Sequence, residues 1–353
     1  MEDRKITPLI TVIIPCYNGE KTLGKCLDSV RKQTFSRFQV LIVDDGSTDR
    51  TKAAALKYCR QDGRFCLICG SHKGVSAARN TALRQAETLY VCFLDADDTL
   101  PERALEWQVK GLEEHPEADL AIGCFDTGDD RLFTGGDMEG LLGMESVREH
   151  FSRHIASVYY GGILGKLYRT RLIKDNGLVF PENIRWSEDM LFNLDYLKCC
   201  RNVCYVKRKV YYYDFRPKSV TDDYSVYWKT QVLRMEKAAE FLEESEQKVV
   251  RERFCSYFYW LLNAELSTMV KRKSSIHQKW EGFHEILDEC RPLWDKTGQY
   301  GFYGENRTQR LLGSMLKRGY RKRLFLFYMV KNFLRGLPGI GCFYKGRQKP
   351  YLE

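Results

Sequence analysis

Two aspartates that directly follow an apolar run are the residues of this sequence with the most evident chemistry. Asp95 and Asp97 come after residues 91–94, which are apolar throughout, as in a strand covered on both faces of a parallel sheet. Open α/β sheets bind ligands at the carboxyl ends of their strands, and carboxylates there suit Mg²⁺ or Mn²⁺ shared with phosphate groups. The pattern therefore predicts a metal and phosphate site. The alternative is a turn or helix cap, because Asp also accepts hydrogen bonds from backbone N–H groups.

The first third of the chain alternates between apolar segments and helical patterns. Leu23, Cys26, Leu27 and Val30, for example, repeat along one face of a helix. This alternation is typical of βαβ units, so the sequence predicts an α/β fold with a parallel sheet. The predicted strands are residues 9–14, 38–43, 64–68, 90–94 and 119–124, and residues 74–86 and 102–114 are predicted helices.

Polar residues follow other predicted strands as well. We expect Pro15 to end the pairing of the first strand and a carboxylate pair, Asp44 and Asp45, to end the second. Gly74 can begin a tight turn, and Arg79 follows about one helical turn later with a guanidinium that suits diphosphate oxygens. Because the carboxyl ends of parallel strands share one edge of the sheet, these clusters predict a single polar cleft.

Together these segments resemble the family 2 glycosyltransferases, which are inverting enzymes with the GT-A fold. Five motifs occur in the family's order. They are Thr-Val-Ile-Ile-Pro-Cys-Tyr-Asn at 11–18, Leu-Asp-Ser-Val-Arg-Lys-Gln-Thr-Phe at 27–35, Val-Asp-Asp-Gly-Ser-Thr-Asp at 43–49, Gly-Val-Ser-Ala-Ala-Arg-Asn at 74–80 and Phe-Leu-Asp-Ala-Asp-Asp at 93–98. The resemblance is close over residues 6–125 and looser to about residue 221.

The resemblance also implies a division of the chain. Residues 1–221 would form the GT-A domain, a Rossmann-like mixed sheet flanked by helices, with a nucleotide-sugar half at 1–125 and an acceptor half at 126–221. Residues 222–353 would form a mostly helical C-terminal region that ends in a basic amphipathic tail.

On the donor side, the family's first motif lies against the nucleotide, and its Asp-Asp-Gly-Ser motif contacts uracil in members that use uridine nucleotides. The resemblance therefore implies a UDP-sugar donor with Asp45 at the base. It also implies a metal, Mn²⁺ or Mg²⁺, held by Asp95 and more firmly by Asp97. The residues expected to bind the donor are Pro15, Tyr17, Asn18, Glu20, Asp45, Gly74, Arg79, Asp95 and Ala96.

On the acceptor side, the family often has a Glu-Asp pair at the start of a helix, and Glu188-Asp189 matches it. The resemblance implies that Asp189 is the catalytic base, with Glu188 as the second candidate. The alternative is that both acids only stabilise a helix start behind Ser187 as the N-cap. Asn183 and Trp186 are candidates for the acceptor pocket, and Lys166 with the segment 213–221 also matches family members that build bacterial surface polysaccharides.

The expected reaction is metal-dependent, inverting transfer of one sugar to a hydroxyl of a growing glycan or lipid-linked saccharide. Two alternatives stay open. Residues 93–100 also fit the Asp-x-Asp-x-Thr signature of haloacid dehalogenase-type phosphatases, although that motif usually follows the first strand of a chain. The other alternative is a non-catalytic scaffold in a polysaccharide assembly complex, although the presence of both acidic motifs argues against it.

Composition and cysteine usage indicate an ordinary globular protein of the cytoplasm. The chain is 44% hydrophobic and 29% charged, and its 13 cysteines are scattered without the clustering of a disulfide framework. The first residues are charged and no apolar run follows them, so no secretory signal peptide is expected.

The positive charge is concentrated at the end of the chain. Residues 291–353 hold 14 Lys or Arg against 3 Asp or Glu, a net charge of +11, whereas the whole chain carries +9. Residues 317–335 combine basic and aromatic residues with an apolar run shorter than the roughly 20 residues that span a bilayer. We expect them to contact the inner face of the cytoplasmic membrane, and the alternative is a helix packed on the protein. No nucleic-acid-binding module is recognisable, so no such partner is expected.

Overall fold

The computed structural model of the chain describes residues 7–126, 138–153, 162–184, 187–214, 273–289 and 307–336, with residue 291 and short stretches between residues 233 and 271. The chain divides into two compact units, Met1–Ser219 and Val220–Leu352. Trp186 and residues 215–221, which the sequence places near the acceptor, lie outside the described residues.

The first part of the amino-terminal unit is a parallel sheet, as the alternation predicts. Strands β1 (Ile10–Cys16), β2 (Phe38–Asp44), β3 (Phe65–Cys69) and β4 (Tyr90–Phe93) lie in the order β3-β2-β1-β4. They alternate with helices α1 (Leu23–Arg31), α2 (Thr51–Gln61), α3 (Val75–Gln85) and α4 (Ala104–Glu114). Helix α1 buries the residues whose spacing predicts it, namely Leu23, Cys26, Leu27 and Val30.

The sheet continues with strands of both directions, so the described strands form one mixed sheet. Strand β7 (Lys166–Arg169) lies antiparallel between β4 and β5 (Leu120–Asp126), and β8 (Asn202–Tyr212) runs parallel to β5. Strand β6 (Gly140–Gly143) pairs with β8 at the edge. The further helices described in this unit are α5 (Met144–Arg153), α6 (Thr170–Asp175) and α7 (Glu188–Cys199).

The prediction that Pro15 ends the first strand is wrong, because β1 continues to Cys16 beside β2. The carbonyl of Ile13 accepts a hydrogen bond from Leu94 after β4, and every second residue of a strand faces the same neighbour. The nitrogen of Pro15 therefore faces β4, whose pairing with β1 ends at Phe93. The missing N–H of proline interrupts no ladder there, so the strand tolerates it.

An aromatic cluster fixes the position of α7 relative to β4. Phe180 and Phe192 stack with ring centroids 4.1 Å apart, and Phe93 meets them edge-on at 5.1 and 5.8 Å. Tyr168 of β7 packs edge-on against Phe93 at 5.6 Å. Since Phe93 precedes the Asp-x-Asp motif and Phe192 belongs to α7, this packing brings the two predicted halves of the site together.

The carboxyl-terminal unit has its own apolar core. Its described part includes helices α8 (Ile276–Glu289), α9 (Arg307–Lys317) and α10 (Arg321–Gly336), in agreement with the expected helical region. The buried residues of this core are Leu262, Leu266, Val270, Phe283, Leu287, Leu312, Leu324, Phe325 and Tyr328. None of the helices in the described ranges has the length and apolar character needed to cross a bilayer.

Candidate active site

Two loops at the carboxyl edge of the sheet are fastened together by side chains that the sequence assigns to donor binding. The amide oxygen of Asn18 accepts the N–H of Thr48 at 2.9 Å, and the Glu20 carboxylate accepts that of Arg50 at 3.0 Å. Ser47 in turn accepts the N–H of Asn18 at 2.9 Å. The loop after β1 is thereby fixed against the loop after β2. Direct donor contacts of Asn18 and Glu20 stay a prediction.

Asp45, the residue expected at the nucleobase, is buried beneath the loop that leads to α3. Its two carboxylate oxygens accept the N–H groups of Lys73 at 2.9 Å and Gly74 at 2.7 Å. Gly74 has φ +95°, a conformation that glycine adopts without strain. A carboxylate oxygen that accepts one bond keeps a further lone pair, so Asp45 can also accept an N–H from a bound base.

His72, which sequence reasoning missed, lies beside the same residues. Its ring lies against that of Tyr17 with centroids 4.2 Å apart, and its Nδ1 is 3.3 Å from the carbonyl oxygen of Asp45. A Cβ at Gly46 would lie 3.1 Å from the His72 nitrogen, so glycine permits the close approach of the two loops. One feature of the sequence could have indicated His72. It lies two residues before Gly74, in the loop between β3 and α3, which returns to the same edge of the sheet.

Arg79 joins the predicted donor side of the site to the predicted acceptor side. Its guanidinium is buried, and its terminal nitrogens lie 2.9 Å from Asp95 Oδ1 and 2.9 Å from Glu188 Oε1. Burial lowers the pKa of Arg79, but the two carboxylates more than offset this, so the pKa lies above its ordinary value. The sequence gives no sign of this double ion pair, since Glu188 is 109 positions away. The predicted contact of Arg79 with a diphosphate stays a prediction.

The loop that contains Asp95 is held by the end of β8. Tyr211 donates its hydroxyl hydrogen to Asp98 at 2.7 Å and accepts the N–H of Asp95 at 3.2 Å. The second oxygen of Asp98 accepts the N–H of Asp214 at 2.8 Å. Burial, reinforced by the charge of Asp95, raises the pKa of Asp98 to about 7. Asp98 therefore supports the loop from inside the protein, whereas Asp97 beside it is exposed.

Asp95 and Asp97 fit a metal that arrives together with a phosphate ligand. Asp97 is exposed, and Asp95 and the intervening Ala96 are partly exposed. Across the described ranges, no three His, Cys, Asp or Glu side chains come together as a site that could hold a metal ion by themselves. Mg²⁺ is usually bound by one or two carboxylates plus waters and substrate phosphates, which is the arrangement that this pair allows.

The acidic pair begins α7, as the resemblance implies. Glu188 is the first residue of the helix, and Asp189 follows with its Oδ1 accepting the N–H of Met190 at 2.8 Å. The prediction of Ser187 as a capping side chain is wrong, because Ser187 precedes the helix but makes no capping bond. Its backbone has φ +64°, whereas a capping residue has an extended backbone from which its oxygen reaches the first-turn amides.

The buried carboxyl of Glu188 makes stability depend on pH. Burial, followed by the charge of Asp189, raises the pKa of Glu188 from 4.5 to about 7. Between pH 4.5 and about 7 the folded protein therefore keeps a proton on Glu188 that the unfolded chain releases. The stabilisation of the folded state by this proton is complete below pH 4.5 and is lost as the pH rises through 7. We expect the Tm of the wild type to fall relative to that of Glu188→Gln across this range. Thermal unfolding measures it, and parallel curves for the two proteins would contradict it.

Lys166 and Asn183, the other described candidates of the acceptor half, differ in their surroundings. Lys166 is buried in β7 and donates to the carbonyl oxygen of Gly162 at 2.6 Å, an oxygen that also accepts from Asn193 of α7. Burial lowers the pKa of Lys166 to about 7, while the charge of Asp189 acts in the opposite direction. Asn183 is exposed. Lys166 is therefore an interior group within electrostatic reach of Asp189.

Known proteins match the part of the chain that contains the predicted donor-binding residues. The profile of glycosyl transferase family 2 matches residues 11–172, from β1 to the start of α6. Residues 11–172 therefore form a glycosyltransferase family 2 domain. The glycosyltransferase EpsJ of Bacillus subtilis is 28% identical over 218 residues, which are 61% of this chain and 63% of EpsJ. The poly(ribitol-phosphate) beta-N-acetylglucosaminyltransferase TarS of Staphylococcus aureus is 31% identical over 213 residues, 58% of this chain and 35% of TarS.

Solved structures confirm the fold that the sequence predicts. Residues 1–349 of S. aureus TarS in complex with UDP match with a TM-score of 0.66 at 21% identity, over 93% of this chain and 92% of that one. The mannosyltransferase PcManGT from Pyrobaculum calidifontis, in complex with GDP-Man and Mn²⁺, matches with a TM-score of 0.53 at 18% identity, over 94% and 89%. The fold is therefore GT-A, as expected. The family match and the position of the Asp-x-Asp motif after β4, rather than after the first strand, argue against the phosphatase alternative.

Proposed function

We propose that this protein transfers one sugar, with inversion, from a UDP-sugar to a hydroxyl of a growing glycan or lipid-linked saccharide. The observation that supports it best is the double ion pair of Arg79. One guanidinium lies 2.9 Å from Asp95 of the predicted donor site and 2.9 Å from Glu188 of the predicted acceptor site. Two acidic motifs that are distant in the sequence thus meet at one place, as a reaction between two bound substrates requires.

In this proposal Asp189 is the general base. It takes the proton of the acceptor hydroxyl while that oxygen bonds to C1 of the sugar. The bond from C1 to the diphosphate breaks on the opposite face, and the nucleoside diphosphate leaves with the electron pair. Glu188 is less suited because its carboxylate is paired with the buried Arg79, although its raised pKa keeps it the second candidate.

Asp97 and Asp95 would hold the Mn²⁺ or Mg²⁺, which when bound neutralises negative charge on the departing diphosphate. Arg79 orients the Asp95 carboxylate and contributes a fixed positive charge beside it. Tyr211 and Asp98 keep the loop in place by binding the Asp95 backbone and the segment after β8. The Mn²⁺ in the PcManGT complex supports this choice of ion.

For the nucleotide we propose UDP. The paired rings of Tyr17 and His72 offer an aromatic surface beside Asp45, which can accept the N–H of a uracil. The UDP in the TarS complex supports this assignment. GDP is the next candidate, since PcManGT holds GDP-Man on the same fold.

A lipid-linked acceptor would bring the enzyme to the inner face of the cytoplasmic membrane. We propose residues 317–335 as the segment of peripheral contact, because they are rich in basic and aromatic residues. The name of TarS states that it acts on poly(ribitol-phosphate), which supports a polymeric acceptor.

Calorimetric titration of the full-length protein with UDP, with and without Mn²⁺, tests the donor site. We expect binding that strengthens with Mn²⁺, and we expect Asp97→Ala to remove the metal dependence and weaken binding at least about tenfold. Asp175→Ala is the matched control, since Asp175 is an exposed aspartate paired with Arg171 on α6. Absence of binding to UDP, GDP and dTDP would contradict the proposal and favour the scaffold alternative.

A further inference from the structure

Among its described residues, helix α10 has apolar side chains on two faces, and one of these faces packs in the core of the carboxyl-terminal unit. Leu324, Phe325 and Tyr328 are buried in the core of the carboxyl-terminal unit. Leu326, Val330 and Phe333 are 63%, 48% and 68% exposed. The exposed three are spaced i, i+4 and i+7, so they form a stripe along one face of the helix. We call these three residues the exposed stripe of α10.

The surroundings of the exposed stripe are strongly basic. Residues 307–336 contain nine Lys or Arg and no Asp or Glu. Lys322 and Arg323 are exposed at the beginning of α10, one turn before Leu326, and Lys317 and Arg318 are exposed at the end of α9. An apolar stripe with a cationic border matches the interface of an anionic lipid bilayer, where acyl chains and negative headgroups lie side by side.

We propose that the exposed stripe of α10 and its basic border bind the surface of an anionic lipid bilayer, with the helix axis parallel to that surface. This inference rests on the proposed function only for its purpose, which is access to a lipid-linked acceptor. It specifies which residues enter the membrane interface. Part of the apolar run of residues 324–330 packs in the protein core and the rest contacts the bilayer, so the run does not insert as a whole.

Two other occupants fit the surface less well. A nucleic acid would satisfy the basic residues but would leave Leu326, Val330 and Phe333 facing a charged backbone. A second copy of the chain, docked stripe to stripe, would bring together two copies of a segment that contains nine Lys or Arg and no Asp or Glu, and like charges repel. An anionic bilayer satisfies both features of the surface.

Co-sedimentation of the full-length protein with vesicles tests the proposal. One set consists of phosphatidylcholine alone, and the other contains phosphatidylcholine mixed with phosphatidylglycerol. We expect binding to the anionic vesicles that weakens as salt is raised. We expect about a tenfold loss of bound protein in Leu326→Ser/Phe333→Ser and in Lys322→Glu/Arg323→Glu. The matched controls are Ile276→Ser, which changes a 68% exposed residue of α8, and Lys52→Glu/Lys57→Glu on α2, and they should bind like the wild type.

Each contrary outcome overturns the inference in a recognisable way. Failure of the wild type to sediment with anionic vesicles, or serine variants that bind as well as the wild type, would exclude a role of the exposed stripe. A wild type that forms dimers dispersed by Leu326→Ser/Phe333→Ser, without binding vesicles, would assign the stripe to a second copy. UDP titration of the same variants separates this result from the donor site, because the proposed function requires that binding to persist in all of them.

Discussion

Replacing Asp189 with Asn is expected to slow sugar transfer at least about a hundredfold and to leave donor binding unchanged. Asn keeps the size of the side chain and an oxygen for the Met190 N–H, but it cannot take the acceptor proton. General-base catalysis contributes about 10²–10⁴-fold, so turnover should fall by a factor in that range. Release of UDP from the UDP-sugar that binds best, with a saccharide acceptor present, measures turnover. Titration with UDP measures binding in the same variant.

Two comparisons make the Asp189 result specific. Asp195→Asn changes a carboxylate of the same helix that lies 3.9 Å from Lys198, and we expect it to keep wild-type turnover. Glu188→Gln should lose less turnover than Asp189→Asn, because its carboxylate acts through Arg79. If Asp189→Asn instead turned over like the wild type while Glu188→Gln did not, the base would be Glu188.

The parts of the fold that local patterns determine could be predicted from the sequence. In α1 the apolar residues at helical spacing are the ones that the structure buries, and the apolar runs 38–43 and 90–94 correspond to β2 and β4. The placing of Asp95 and Asp97 after β4 follows from the same reasoning, since a strand buried on both faces must end before charged residues begin. The sequence also predicts the acidic pair at the start of α7 through its family motif.

Contacts between distant residues could not be predicted in this way. Tyr211 supports Asp98 across 113 positions, and Arg79 reaches Glu188 across 109, without any periodicity that links them. The missed role of His72 depends on how its loop returns to Asp45. The capping role predicted for Ser187 is wrong because its backbone is left-handed, a conformation that a serine in the sequence does not reveal.

Replacing Arg79 with Met is expected to destabilise the amino-terminal unit by about 3–5 kcal/mol, the cost of removing one partner of a buried ion pair. The Arg79 side chain is 5% exposed and that of Glu188 is 12% exposed, so little water can replace the lost partner. Urea unfolding measures the loss, and hydrogen exchange in α3 and α7 locates it. Arg171→Met is the matched control: its side chain is 88% exposed beside Asp175, and its removal should cost under about 1 kcal/mol.

A second substitution separates the charge from the packing. In Arg79→Met the Glu188 carboxyl is left without its cation, whereas Gln at position 188 has no charge to compensate. Arg79→Met/Glu188→Gln should therefore be more stable than the sum of the single changes predicts, since residues in direct contact couple by about 0.5–3 kcal/mol. Arg79→Lys should restore part of the stability but little turnover, because one ammonium lacks the planar fork that reaches both carboxylates. Strict additivity, or a loss under about 1 kcal/mol in Arg79→Met, would mean that Arg79 does not hold the two acidic motifs together.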